Sequence, residues 1–300
     1  MTMSARVTAL GFWLGWNLLW LFPESFVAWS FNLASDYCWR KRIKGVRQLE
    51  ANLGRVFGLN PADDQIRELS RQAMRAYMRY YYETFLVTHW STEEINSRVR
   101  AENVEPVVEA LKSGGVILTL PHSGNWDLAG AWAAINLGTV GTVAERLKPE
   151  MIFRKFVTMR NKLGMNILPL TGEAGIYEFL RGQVNAGNLV PLLGDRDVAK
   201  NGMGNLFFGH RASLPIGAAV LALDTGRPLF SCSTWYDGKQ LVITFDEQVN
   251  MPTESATGRE RLRQAQQISV ELATRFELHI KAHAQDWHML QPVWSDLVVE

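Results

Sequence analysis

The chain has 300 residues, 47% of them hydrophobic and 20% charged, with 31 basic against 30 acidic side chains. That length suits one large domain or two small ones, since domains usually run about 100–200 residues, and such a chain buries a core without disulfide or metal support. The composition excludes a disordered chain and a polybasic nucleic-acid binder, and the two cysteines, Cys38 and Cys232, have no Cys/His partners at zinc spacing.

The near-neutral total hides an asymmetry at the N-terminus. Residues 1–60 hold seven basic side chains (Arg6, Arg40, Lys41, Arg42, Lys44, Arg47, Arg55) and three acidic ones (Glu24, Asp36, Glu50). Five of the eleven tryptophans lie there too: Trp13, Trp16, Trp20, Trp29 and Trp39. Tryptophan favours the boundary between hydrocarbon and water, and basic side chains favour anionic headgroups. Residues 7–23 carry no charge, but Gly11, Gly15 and Asn17 interrupt them and Pro23-Glu24 ends them. The stretch is short of the roughly 20 apolar residues that a spanning helix needs. A signal peptide with Arg6 as its basic end is a rival reading, although bulky Trp29 and Phe31 stand where a cleavage site would need small residues. Two readings remain open, a buried core helix and an interfacial helix. The working expectation is a helical membrane-facing segment over 1–45, docking on an anionic surface, ahead of a catalytic domain over 46–300.

Residues 61–87 predict a long amphipathic helix, with Ile66, Leu69, Ala73, Tyr77, Tyr80 and Phe85 along one side. From residue 105 the pattern alternates. Strands are expected at 115–121 (GVILTLP), 140–144, 166–170 and 189–193, with helices at 128–137, 149–163 and 173–184 between them. Strands separated by helices of 10–15 residues imply crossover units and a largely parallel sheet. Two further strands, 228–235 and 241–245, are joined through Tyr236-Asp237-Gly238, a hairpin-like turn. Leu262, Ala265, Ile268, Leu272, Phe276 and Ile280 then mark a closing helix. The expected fold is a single α/β domain: a largely parallel central sheet flanked by helices, with a helical N-terminal extension.

The sharpest constellation is Pro121-His122-Ser123-Gly124-Asn125-Trp126-Asp127. His122 follows a buried strand, and ligands in open α/β sheets gather at the carboxyl ends of strands. Positions five apart on a continuous helix diverge by about 140°. A turn through Ser123-Gly124 is therefore needed to fold Asp127 back onto one ring nitrogen of His122, leaving the other to take a proton from a hydroxyl. The competing reading makes Asp127 a helix cap and His122 a satisfied turn residue. The small residues 123–125 leave room above a helix N-terminus for a developing oxyanion. Ser123 as nucleophile is disfavoured, since no Gly-x-Ser-x-Gly elbow surrounds it. A metal hydrolase is a distant alternative, because the six histidines show no His-x-x-His or His-Glu-x-x-His spacing.

His-x-x-x-x-Asp after a strand resembles the signature of glycerolipid and lysophospholipid acyltransferases. The run LPHSGNWDLAG, TVAERLKPE at 142–150, MRNKLGMNILPLTG at 159–172, GDRD at 194–197, LFFG at 206–209 and DWHMLQPVW at 286–294 resemble the bacterial branch that contains lipid A and phosphatidylinositol mannoside acyltransferases. AERLKPE and DWHMLQP are closest to the mannoside acyltransferases. The likeness covers most of the chain. It implies direct transfer from acyl-CoA to a sugar hydroxyl of a phosphoinositide glycolipid, without an acyl-enzyme and without a bound cofactor. The work would be done at the cytoplasmic face of the inner (plasma) membrane by a peripheral protein.

On that resemblance His122 is the general base and Asp127 its orienting partner. Asp195 matches a further acidic residue, which is glutamate in the nearest relatives. Glu145 and Arg160 match positions lining the groove, and Arg160 or Arg196 suits a phosphate of CoA or phosphoinositol. Asn201, Asp224 and His288 complete the substrate-facing set. Each has an ordinary reading beside it: an internally paired loop for 195–197, a local pair for Glu145-Arg146, a solvated helix face for Arg160, a helix-end turn for Asp224 and a packed terminal segment for His288. The acyl chain needs a dry trough, for which Trp126, Trp132, Phe153 and Phe156 are candidates and core packing the alternative. Rival functions are acylation of another lipid, such as a lipid A precursor or lysophospholipid, and a membrane lipid-binding protein without turnover.

Overall fold

The computed structural model describes residues 3–170, 175–252 and 256–299, with side chains from residue 10 onward. The expected helix start at Glu173 and the side chain of Arg6 lie outside the described residues. Helices α1 (Met3–Leu18), α2 (Glu24–Arg40), α3 (Lys44–Phe57) and α4 (Asp64–Leu86) come first. Helix α5 (Thr92–Arg98) leads into β1 (Val99–Glu102), then α6 (Glu105–Lys112), β2 (Val116–Leu120), α7 (Trp126–Asn136) and β3 (Val140–Ala144). The alternation continues through α8 (Glu150–Lys162), β4 (Met165–Pro169), α9 (Ile176–Asn185) and β5 (Leu189–Leu193). A hairpin of β6 (Met203–Phe207) and β7 (His210–Leu214) precedes α10 (Gly217–Thr225), β8 (Leu229–Asp237), β9 (Gln240–Gln248) and α11 (Gly258–Ala282).

Among the described residues β1–β5 with β8 and β9 form one seven-stranded sheet in the order β1-β9-β8-β2-β5-β3-β4. Every pairing is parallel except β8 with β9. The fold is thus the expected one, a single α/β domain with a mostly parallel sheet between helical layers. Side chains alternate across it as a pleat requires. Ile117 and Val190 enter the core beneath α9, α10 and α11, while Val116, Leu118, Leu120 and Leu189 enter the core beneath α7 and α8. Strand β2 lies between β5 and β8, and its register pairs Leu120 with Leu193. That register decides the site.

Helix α4 starts where Asp63 accepts from the Gln65 amide at 2.9 Å, which satisfies an otherwise orphaned first-turn donor. Its buried stripe of Ile66, Ala73 and Tyr80 follows the expected face. Helix α2 docks along α4 through a two-point ion pair, Asp36 with Arg75 at 2.9 and 2.7 Å. Phe12 and Trp16 of α1 pack edge-on against Phe85 and Phe156. The outer sides of α1, α2 and the turn between them leave Trp13, Trp20, Phe22, Phe26, Trp29 and Leu33 exposed. Among the described residues no helix is long and apolar enough to cross a membrane. On α3, the buried Asn52 amide donates to the Met289 and Gln291 carbonyls at 2.8 and 2.9 Å. This pins the C-terminal segment against the core.

Candidate active site

Strands β2 and β5 run parallel with Leu120 opposite Leu193, so residues two beyond each end emerge side by side. These are His122 and Asp195. The His122 ring Nδ1 lies 2.5 Å from Asp195 Oδ1, and the His122 amide donates to Asp195 Oδ2 at 2.9 Å. The fully buried Trp287 indole donates to the same Oδ2 at 2.9 Å. Asp195 is 0% exposed. Burial alone would push its carboxyl up, but the His122 ring, the Trp287 indole and the His122 amide outweigh this and hold it below the usual range. With Nδ1 engaged, Nε2 of His122 is the nitrogen left to accept a proton. The single residue between β5 and Asp195 has to be glycine: a Cβ on Gly194 would stand 2.5 Å from the Thr119 hydroxyl and 2.9 Å from Phe276.

The expected His122–Asp127 hydrogen bond is not formed. Asp127 lies in the first turn of α7 and faces α4 and α8. It accepts from Arg160 Nε at 2.6 Å and Nη2 at 3.2 Å, and from the Tyr80 hydroxyl at 2.9 Å. Trp126 fills the space on the other side, edge-on to His122 with ring centres 5.6 Å apart. Nor does Asp127 cap the helix; Asn125 does, with Oδ1 accepting from the Leu128 amide at 3.0 Å. Arg160 is no free phosphate ligand and no solvated residue. Burial opposes its charge, yet Asp127 more than compensates and its pKa rises.

The helix N-terminus is less open than the sequence suggests. The Ser123 amide donates to Pro121 O at 2.8 Å, the Gly124 amide to Asp286 O at 2.9 Å, and the Leu128 amide is capped. Gly124 sits at φ +56, and a Cβ there would meet the Thr234 carbonyl carbon at 2.7 Å. The buried Glu83 carboxylate accepts from Asn125 Nδ2 at 2.9 Å, from Arg79 at 2.7 Å and from the Tyr236 hydroxyl. The catalytic-loop candidate is therefore clamped on all sides: β8, α4 and the 284–288 segment.

His122 opens onto a cavity of about 730 Å³. Asp127, Glu145, Arg160, Arg196, Asn201 and His288 all line it, so with His122 seven of the nine expected site residues line the same cavity. Asp195 lies directly behind His122. Asp224 is the exception: it ends α10, paired with Arg261 at 2.8 Å and with the Tyr177 hydroxyl, and does not line the cavity. At the mouth Glu145 pairs with Arg196 at 3.2 Å across the β3 and β5 loops, while Arg146 turns to Glu150 at 2.8 Å. Asp197 accepts from the Asn201 and Gly202 amides and from Ser213, which shapes the loop into β6. The His288 amide donates to the His122 carbonyl at 2.8 Å, but neither buried His288 ring nitrogen has a hydrogen-bond partner. Burial, with His122 nearby, pushes its pKa down to about 3. Of the trough candidates Trp126 and Phe156 line the cavity; Trp132 and Phe153 belong to the packing around it. Sequence reasoning gave no role to Tyr80 or Trp287. Tyr80 looked like one more core residue on a helical stripe, and Trp287 stood inside a matching block without its target.

A buried acid–histidine pair at the carboxyl ends of parallel strands, opening onto an apolar cavity, suits activation of a hydroxyl beside a long hydrocarbon chain. Residues 2–296 match the family described as bacterial lipid A biosynthesis acyltransferase. The chain belongs to that family and is a lipid acyltransferase. It is 36% identical to the phosphatidylinositol mannoside acyltransferase of Mycolicibacterium smegmatis, over 98% of this chain and 95% of that protein. It is 35% identical to the protein of the same name from Mycobacterium tuberculosis H37Rv, over 98% of this chain and 90% of that one.

Proposed function

We propose that this protein moves a long-chain, palmitoyl-like acyl group from acyl-CoA to a mannose hydroxyl of a phosphatidylinositol mannoside. The observation that carries the reading is the His122–Asp195 pair at the head of an apolar cavity. His122 Nε2 takes the proton of the attacking hydroxyl while the hydroxyl oxygen bonds to the thioester carbonyl carbon. The C–S bond then breaks, the ester forms, and CoA leaves as a thiolate that needs little protonation. His122 as a positioned base is worth about 10²–10⁴-fold, and Asp195 fixes its ring orientation and stabilises the imidazolium. Asp127 and Arg160 set the shape of the wall. Glu145, Arg196 and Asn201 rim the mouth, where polar parts of donor and acceptor would lie. The names of the relatives support the acceptor.

The reading includes a peripheral position on the cytoplasmic face of an anionic inner (plasma) membrane, supported by the exposed aromatics of α1 and α2 and by exposed Arg40, Lys41 and Lys44 beside them. The test is palmitoyl-CoA-dependent acylation of purified phosphatidylinositol mannoside, read by lipid mass spectrometry, with His122→Ala alongside. One added acyl chain with wild type alone is the expected result. CoA release only with a different lipid would overturn the acceptor, and no turnover with any acceptor would overturn the reaction.

A further inference from the structure

The residues that line the cavity come from both faces of the sheet. One set, the α7 arm, lies beneath α7, on the face that Leu118 and Leu189 enter; the other, the α10 arm, lies beneath α9, α10 and α11. The two sets differ in chemistry. The α10 arm reaches Tyr177, whose hydroxyl joins the Asp224–Arg261 pair, and it is lined on the way by Ser269. In the α7 arm the lining residues farthest along the strands from His122 form a single row across the amino ends of three strands, because Val140 pairs with both Met165 and Leu189 in register. Those three side chains are 0%, 4% and 1% exposed. A hydrocarbon chain gains most from the arm whose end is dry and apolar.

The geometry points to Met165 and Gly130 as the pair that sets acyl-chain length, with the donor chain lying in the α7 arm. This rests on the acyl transfer proposed above. From Leu193 to Leu189 the arm descends about 13 Å at the usual rise of a strand. On the α7 side its wall is Ala129, Gly130 and Ala133, small side chains that leave width for a chain. A Cβ on Gly130 would lie 2.7 Å from the Met165 sulfur, so the thioether occupies the space that glycine leaves. An unbranched thioether shifts at little cost. Met165→Ala therefore deepens the arm. Gly130→Ala drives the thioether tip into it and also raises helix propensity, so that variant is expected to fold at least as well as wild type.

The experiment measures kcat/KM for acyl-CoA donors in two-carbon steps, and Kd for non-transferable S-alkyl-CoA thioethers of the same lengths. Met165→Ala is expected to move the optimum in both series to a longer chain. Gly130→Ala is expected to lower kcat/KM and raise Kd for the wild-type optimum by roughly ten-fold per two carbons that no longer fit, sparing shorter chains. Ala218→Val, in the α10 arm, is expected to leave the length profile in place. Unchanged profiles in both α7-arm variants, or a shift caused by Ala218→Val, would overturn the assignment. The thioether series separates chain-length selection from the reaction: length-dependent binding without turnover would overturn acyl transfer and leave the ruler standing.

Discussion

Asp127 and Asp195 are both buried carboxylates beside the same loop, yet their partners give them different work. Asp127 holds a buried guanidinium, and removing one member of a buried pair leaves the other charge uncompensated, at about 3–5 kcal/mol. Asp127→Ala is accordingly expected to lower Tm sharply in a melting experiment, and Arg160→Ala to do the same. Asp286 offers a pH test. Burial raises its carboxyl to about 6, while Oδ2 accepts from the Tyr236 amide at 3.2 Å. A raised acid binds its proton more tightly when folded, so its contribution is complete below the unfolded value near 3.8 and is lost as pH rises through 6. Asp286→Asn keeps the acceptor and removes the charge. Its stability should exceed wild type at pH 8 by up to about 3 kcal/mol, with the advantage vanishing near pH 4; equal denaturant midpoints at both pH values would contradict this. His122 was legible as a site residue because it ends an apolar run and begins a turn. Its partner was not legible from spacing, since hydrogen bonding follows strand register and not sequence distance.

At the scale of elements, the positions of β3 and β5 follow directly from their apolar runs; both begin and end where expected. The four-residue β1, VRAE, alternates apolar and polar residues, but four positions are too few to stand out from a helix end and a loop, and its pairing with β9 is what reveals it. The β6–β7 hairpin was hidden by polar and glycine residues, and its turn, Phe208-Gly209, takes positive φ at both positions, the signature of a type I′ turn. Which strands neighbour each other is a property of crossovers, and no local pattern records that β5 inserts between β2 and β3. That insertion makes the site, and Gly194 is where it is tightest. Gly194→Ala is expected to push the end of β5 off β2, separate Asp195 from His122 and reduce kcat by at least about ten-fold. A kinetic constant within two-fold of wild type would mean that the strand ends tolerate the shift.

Among the described residues, the outer side of the α1–α2 hairpin is an apolar edge that the core does not cover. The hairpin of α1 and α2 is anchored inward through Phe12 and Trp16, which rest on the cavity-lining Phe156, and outward it shows a row of aromatic side chains. A bilayer on that edge would lie beside the cavity proposed to receive the hydrocarbon. Replacing Trp13 and Trp29 together by Ser removes outward rings, so Tm should hold while flotation with anionic vesicles falls steeply; unchanged flotation would place membrane binding elsewhere. Behind that edge lie His122 and Asp195, the pair proposed to carry the acyl transfer. The most direct test of the pair is kcat for acyl transfer by Asp195→Asn, an isosteric change that keeps acceptors for Trp287 and the His122 amide. A loss of about 10²–10⁴-fold in a folded protein is the predicted result. Turnover near that of wild type would contradict it.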